Sequence, residues 1–137
     1  MQTQISKYPT TFYRVSLKAV IRNAKGEVLL AKEDEGDNWS LPGGGWDHGE
    51  TEREALAREL FEEVSYRGDF SATPFATEIF WLDHRKAWLL WIVYDVTVEN
   101  YDFAVGRDCT AVAFHDPKVF RDSPHTTEQW VYTHLNH

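Results

Sequence analysis

Three glutamates near the middle of the chain are spaced as neighbours on one face of a helix. Glu59, Glu62 and Glu63 stand at positions i, i+3 and i+4, so on an α-helix they project within about 100° of arc. Like charges at these spacings repel one another, and a divalent cation would offset the repulsion. Hard cations such as Mg²⁺ prefer oxygen ligands of this kind. The alternative is that the glutamates form only a solvated helix face, as most charge runs do.

The residues around these glutamates predict the helix that they need. Thr51 followed three positions later by Glu54 is a capping-box pattern, which places the start of a helix at Thr51. Apolar residues recur every four positions on the side away from the glutamates, at Leu56, Leu60 and Val64. We therefore expect a helix from Thr51 to about Val64 that docks by its apolar face and presents its carboxylates on the other.

A glycine-rich segment precedes this helix, and its spacing to the glutamates matches a known motif. Gly44, Glu50 and the run Arg58-Glu59-Leu60-Phe61-Glu62-Glu63-Val64 resemble the Nudix box. The seven specified positions would match by chance on the order of once in a million chains of this length. The chain departs from the box at its end, where Ser65 replaces a glycine and Tyr66 fills the following apolar position. The resemblance identifies the chain, through the segment Gly44 to Tyr66, as a member of the Nudix hydrolase family.

The resemblance implies an α/β (α+β) fold, a Nudix-like α/β/α sandwich with a mixed central sheet. It also implies a metal site that holds Mg²⁺, with Mn²⁺ as an alternative. Glu59 and Glu63 would be the principal ligands, Glu62 would bind directly or through water, and the carbonyl of Gly43 would add one oxygen. Arg58 would hold the carboxylates in place by charge-assisted hydrogen bonds, and Glu50 would brace the loop against the helix.

The activity implied by the resemblance is hydrolysis of a pyrophosphate bond in a nucleoside diphosphate linked to another moiety. Water would attack phosphorus, and the bound metal would lower the pKa of that water and neutralise the diphosphate. Two alternatives stay open: a non-catalytic sensor of a nucleotide ligand, and a pyrophosphohydrolase acting on the 5′ end of RNA. A sensor could lose its catalytic glutamates without penalty, whereas this chain keeps them all.

Other residues are candidates for the reaction because of their place in the chain. Family members often take a general base from a later loop, so Asp108 is the first candidate and Asp102 the second. Substrate-binding candidates lie in the glycine-rich loop; they are Gly44, Gly45, Trp46 and His48. Each of these side chains could also be an ordinary loop residue, since loop acids and histidines are mostly solvated.

Length and composition limit the architecture. Residues 1–137 fit one domain. The strand-rich segments predict a mixed sheet covered by helices. Their bounds are Phe12–Asn23, Glu27–Lys32, Trp39–Leu41, Phe70–Leu82, Lys86–Val98 and Thr110–Phe114, and a second helix is expected over Thr127–Leu135.

Charge and cysteine content limit the partners. The net charge of −8 disfavours nucleic acids, so we expect a small-molecule nucleotide substrate and no nucleic-acid or membrane partner. The single cysteine, Cys109, and the absence of a secretory signal favour a cytoplasmic protein. The family resemblance allows a homodimer, because many relatives are dimers.

Overall fold

The computed structural model describes residue 7 and residues 11–33 and 36–136. Their elements are β1 (Tyr13–Val20), β2 (Val28–Glu33), β3 (Trp39–Ser40), β4 (Gly43–Gly45), α1 (Glu52–Val64), β5 (Phe70–Leu82), β6 (Ala87–Val98), β7 (Cys109–His115) and α2 (Thr126–Leu135). Short 3-10 turns, Asp83–Arg85 and Pro117–Phe120, follow β5 and β7. Among these described elements, neither α1 nor α2 is long and apolar enough to cross a membrane.

The strands form two sheets. The first has the order β4-β1-β6-β5, in which β1 and β6 are parallel and the other neighbours are antiparallel. The second is antiparallel, with the order β3-β2-β7. The expected mixed sheet is therefore confirmed, although the strands divide between two sheets. Strands β5 and β6 form a long hairpin.

Successive residues of the buried strands face two different apolar cores. In β2, Leu29 and Ala31 belong to the core that contains α1, whereas Val28 and Leu30 belong to the core that contains α2. This alternation follows from the two-residue period of a strand. The α1 core includes the apolar stripe Leu56, Leu60 and Val64, and the α2 core includes Trp130, Val131 and Leu135. Strands lie between two helices, which is the α/β/α arrangement expected from the sequence.

Strand β4 is the element that the sequence did not predict. Glycine is depleted in strands, so Gly43–Gly45 read as a loop. The segment pairs with β1 because its backbone approaches that strand closely: a Cβ at Gly43 would lie 1.9 Å from the carbonyl oxygen of Leu17. Gly43 also has a φ of +137°, which favours glycine. The pairing fixes the glycine-rich segment to the sheet beside α1.

Candidate active site

Helix α1 begins where its capping residues predict. The Oγ of Thr51 accepts a hydrogen bond from the amide of Glu54, and the Glu54 carboxylate accepts one from the amide of Thr51, both at 3.1 Å. This reciprocal pair is a capping box, so the predicted start is confirmed. With Leu56, Leu60 and Val64 buried in the core, the carboxylates of Glu59 and Glu63 reach the glycine-rich segment.

Arg58 connects the carboxylates to the loop that precedes the helix. Its guanidinium donates two hydrogen bonds to Glu50, at 2.7 and 2.8 Å, and one to the carbonyl of Gly45 at 2.8 Å. It also donates to Glu59 at 2.8 Å and to Glu62 at 3.3 Å. The hydrogen bonds that Arg58 donates to Glu50 raise the pKa of Arg58 and lower the pKa of Glu50. Both groups therefore stay charged near neutral pH, and the loop is bound to the helix through them.

Burial disfavours the charged form of two of the glutamates. It raises the pKa of Glu59, which is 8% exposed, although the neighbouring Arg58 opposes the change. It raises the pKa of Glu63 to about 7, against the opposing charge of Lys18. Among the described residues Glu63 has no arginine partner, unlike Glu59 and Glu62. A carboxyl in such surroundings is one that a bound cation would stabilise in its ionised form.

The three glutamates line a pocket of about 550 Å³, which we call the carboxylate pocket. Asp108, the first candidate for a general base, lies in its wall, and its side chain is exposed. Asp102 is not part of this lining. The remaining lining residues are Arg14, Glu33, Arg85 and Cys109. The structure therefore brings Asp108 to the glutamates and leaves Asp102 outside.

Backbone hydrogen bonds hold the segment before Asp108 against the end of α1. The amides of Ala104, Gly106 and Arg107 donate to the carbonyls of Val64, Glu63 and Glu62 at 2.8–3.0 Å, and these carbonyls have no partner within the helix. Gly106 is required for the approach, because a Cβ there would lie 2.0 Å from the carbonyl oxygen of Glu62. No local sequence pattern predicts this contact, since it joins segments about 40 residues apart.

The glycine-rich strand β4 lies directly against the glutamates. A Cβ at Gly44 would be 2.6 Å from the carboxylate of Glu59, so a larger residue would displace that carboxylate. The carbonyl of Gly43 accepts a hydrogen bond from the buried ammonium of Lys18, at 3.3 Å. Lys18 also donates to the carbonyl of Leu41 at 3.2 Å.

Trp46 and His48 lie apart from the glutamates. Both line a separate hollow beside Val15, and the indole of Trp46 donates to the carbonyl of Glu50 at 3.0 Å. Trp46 packs against the α1 core because its large ring is stabilised by burial, while His48 is exposed. Of the four substrate-binding candidates, only Gly44 and Gly45 lie in a pocket that Glu63 also lines. The substrate-binding role of all four residues stays a prediction.

Three cationic residues that line the pocket beside Glu63 were not singled out in the sequence. Arg14 and Lys18 lie on β1, and Arg85 lies on the turn between β5 and β6. A signal for the first two was present, because Arg14, Ser16 and Lys18 alternate with apolar residues and must share one strand face. For Arg85 no such pattern exists.

The donor set suits a hard divalent cation, although the side chains are not gathered around one point. Within the described residues, no group of three or more His, Cys, Asp and Glu side chains is arranged to hold a metal ion. Arg58 and Arg107 bond the carboxylates of Glu59 and Glu62 instead. Carboxylate oxygens are nevertheless the ligands that Mg²⁺ prefers. The raised pKa of Glu63 shows that its ionised form is disfavoured by burial, and a bound cation would stabilise that form.

Comparison with known families gives a match over most of the chain. The NUDIX domain matches residues 12–134. Among curated proteins, the chain is 54% identical over 52 residues to an RNA pyrophosphohydrolase of Ruthia magnifica subsp. Calyptogena magnifica, covering 38% of this chain and 29% of that protein. It is 40% identical over 73 residues to an RNA pyrophosphohydrolase of Tolumonas auensis, covering 53% of this chain and 41% of that protein. The match thus spans well under half the length of these relatives.

Solved structures share the fold. A MutT protein from Methanosarcina mazei Go1 superimposes with a TM-score of 0.76 at 22% identity, covering 94% of this chain and 96% of that one. A MutT NUDIX hydrolase from Burkholderia pseudomallei gives a TM-score of 0.70 at 23% identity, covering 88% and 97%. At these identities the likeness concerns the fold alone.

Proposed function

Because this chain belongs to the NUDIX domain family, we propose that it hydrolyses a pyrophosphate bond in a nucleoside diphosphate linked to another moiety. The observation that carries the proposal is the carboxylate pocket, where Glu59, Glu62 and Glu63 of α1 meet Asp108 from a later segment. Residues 1–137 act in this proposal as one domain, in keeping with a family match over 12–134.

The proposed cofactor is Mg²⁺, with Mn²⁺ as a substitute. Nudix hydrolases generally use divalent metals. Glu59, Glu62 and Glu63 would hold the ion, with the carbonyl of Gly43 as a further oxygen donor. When bound there, the ion would neutralise the diphosphate and lower the pKa of the attacking water.

The chain's own residues position the reaction in this proposal. Arg58 keeps Glu59 and Glu62 oriented while it stays bonded to Glu50, so the ligands are held before substrate arrives. Asp108 is exposed in the wall of the same pocket, where its carboxylate can accept the proton of the attacking water. Gly44 and Gly45, the candidates for substrate binding, line the adjoining pocket, and their lack of a Cβ lets the Glu59 carboxylate and the Arg14 guanidinium approach the backbone.

A second candidate function is removal of pyrophosphate from the 5′ end of RNA, which is favoured by the names of the relatives. The net charge of −8 argues against an RNA substrate, because an acidic protein repels the nucleic-acid backbone. A cytoplasmic location and a homodimer also remain proposals: the first is consistent with a single buried cysteine. A binding module without turnover is less favoured, because the acidic set and Arg58 are complete.

Chromatographic detection of the cleaved products tests the proposal. The purified chain is incubated with nucleoside triphosphates, dinucleoside polyphosphates, nucleotide sugars and a 5′-triphosphate RNA, with Mg²⁺ or with EDTA. We expect turnover of at least one compound that chelation abolishes and Mg²⁺ or Mn²⁺ restores. Full turnover after exhaustive chelation contradicts the metal mechanism, and tight binding without any turnover favours the sensor.

A further inference from the structure

We propose that Arg85 and Arg14 form a clamp for a phosphate group that lies outside the carboxylate pocket. The clamp would make a chain of three or more phosphates the preferred substrate. This inference rests on the proposed function and narrows its substrate class.

The two arginines lie where two pockets meet. The carboxylate pocket adjoins a second pocket of about 390 Å³ between β1, β4 and the β5–β6 turn. Four residues line both pockets, so their side chains form the boundary: Arg14, Glu33, Glu63 and Arg85. A substrate that reaches from the glutamates into the second pocket must pass these guanidinium groups.

Arg14 is held in a defined position by the glycine-rich strand. A Cβ at Gly45 would lie 1.7 Å from a terminal guanidinium nitrogen of Arg14, so the guanidinium packs directly on the Gly45 backbone. Its ion pair with Asp47 is long, at 4.0 Å, and half of its side chain is exposed. An exposed pair at this distance contributes little, so the donors of Arg14 remain available to an anion.

Arg85 lines both pockets from the turn between β5 and β6. The acidic residue of that turn, Asp83, bonds Lys86 at 3.1 Å and the indole of Trp81 at 3.3 Å. Within the described chain Arg85 itself has no carboxylate within ion-pair distance. The guanidinium of Arg85 therefore forms no ion pair within the turn and can bind an anion.

Charge balance explains why such a clamp is needed. Five carboxylates line the carboxylate pocket and repel phosphate: Glu33, Glu59, Glu62, Glu63 and Asp108. Divalent cations on the glutamates can balance only the phosphates that they touch. A phosphate beyond them needs protein cations, and the planar guanidinium binds phosphate with two parallel hydrogen bonds. A nucleotide sugar has no third phosphate, so it would leave the clamp empty.

A chain of at least three phosphates occurs in several classes of compound, and the clamp could bind any of them. The probes are a short RNA with a 5′-triphosphate, ATP and a diadenosine tetraphosphate, compared with ADP-ribose as the diphosphate-linked reference. The order of the kcat/KM values for the first three compounds identifies the class of substrate that the protein prefers. Higher kcat/KM for at least one of them than for ADP-ribose supports the clamp, and preference for ADP-ribose over all three overturns it.

Substitutions test whether the two arginines cause that preference. Arg85→Ala and Arg14→Ala should each lower kcat/KM for the preferred triphosphate compound about 10- to 100-fold, the range for losing a charged hydrogen bond. They should lower kcat/KM for ADP-ribose by a clearly smaller factor, because ADP-ribose has no third phosphate for the clamp. Arg85→Lys keeps the charge without the planar fork, so it should recover part of the loss. Arg121→Ala is the control, because Arg121 is an exposed arginine that lines a different pocket.

Equal losses on both substrate types, or no loss beyond that of Arg121→Ala, overturn the clamp. A binding measurement distinguishes failure of the clamp from failure of the proposed hydrolase function. If the unaltered protein hydrolyses none of the compounds, calorimetry with inorganic tripolyphosphate and Mg²⁺ still tests the site. Binding that weakens about 10-fold or more in Arg85→Ala supports the clamp, and binding unchanged by the substitution excludes it.

Discussion

Helix α1 has two faces that are both largely withdrawn from water but for different reasons. On one face Leu56, Leu60 and Val64 are at most 1% exposed and contribute to the α1 core. On the other face Glu59 is only 8% exposed, yet its burial raises its pKa, which means that burial disfavours its ionised form. The first face stabilises the fold, since apolar burial is favourable at about 25 cal/mol per Å². The second must be held by other residues.

The contacts that hold the glutamate face come from elsewhere in the chain. Arg58 bonds Glu59 and Glu62, while Gly44 leaves room for the Glu59 carboxylate. The amides of Gly106 and Arg107 donate hydrogen bonds to the carbonyls at the end of the helix. A helix face that is unfavourable for stability and yet supported by several separate segments is typical of a functional site. The two faces should therefore respond differently to mutation.

The largest expected effect is on catalysis. Glu63→Gln removes the charge of a proposed ligand and preserves its shape, so kcat should fall by several orders of magnitude, about 10³-fold or more, while the melting temperature should not fall. Glu54→Gln is the matched control on the same helix, because glutamine also serves in a capping box. Near-normal turnover by Glu63→Gln would show that Glu63 is not a primary ligand.

The apolar face should affect stability without affecting chemistry. Leu60→Ala leaves a cavity in the α1 core, and the free energy of unfolding should fall by about 2–5 kcal/mol. The kcat of the folded fraction should stay within a few-fold of that of the unaltered protein. Phe61→Ala is the control, since Phe61 is the next residue and is 44% exposed. Denaturant unfolding measures the stability of both variants. An equal loss of unfolding free energy in Leu60→Ala and Phe61→Ala contradicts the proposed difference between the two faces.

The glutamate face also predicts a pH dependence of the metal-free protein. The pKa of Glu63 is about 7 when folded, above its ordinary 4.5, so folding favours the protonated form. Its contribution to stability is complete below pH 4.5 and is lost as the pH rises through about 7. We expect the melting temperature in EDTA to fall by about 5 °C between pH 5 and pH 8.

Glu63→Gln is the matched variant for this titration. It should flatten the dependence between pH 5 and pH 8, although Glu59, whose pKa is also raised, retains part of the slope. An unchanged slope in Glu63→Gln would assign the titration to other groups. Mg²⁺ should bind more tightly as the pH rises through this range, because its ligands must be deprotonated.

The smallest effect concerns the end of the helix. Ser65 has φ 58° and ψ 26°, the left-handed conformation in which a Cβ is unfavourable. Ser65→Gly should therefore stabilise the protein by up to about 1 kcal/mol and leave kcat nearly unchanged. The greater freedom of glycine in the unfolded chain reduces this gain, as does loss of the long 3.4 Å hydrogen bond from the Ser65 hydroxyl to the carbonyl of Val105.

Ser71→Gly is the control for this last substitution. Ser71 is exposed on β5, where glycine brings only its entropic cost, so that variant should be less stable than the unaltered protein. Chemical denaturation compares the two. A loss of stability in Ser65→Gly as large as that in Ser71→Gly would mean that the backbone at Ser65 is not strained.

The sequence by itself determined the elements whose signals are local. The capping box at Thr51 and the apolar stripe ending at Val64 define α1 within one residue, because cap and stripe both act over a few turns. The Nudix box predicted the family, which the match over residues 12–134 confirms. The resemblance also implied the fold class, and the pattern of strand-rich and helical segments predicted a mixed sheet covered by helices.

Only the tertiary structure decided which residues share the site. Asp108 reaches the glutamates because three backbone amides bind the end of α1, and Arg85 lies at the pocket boundary because β5 and β6 pair over their whole length. Trp46 and His48, which follow the glycines directly, lie in another hollow. The physical reason is that sequence spacing sets direction within one helix or strand, whereas the meeting of separate segments depends on packing and long-range hydrogen bonds.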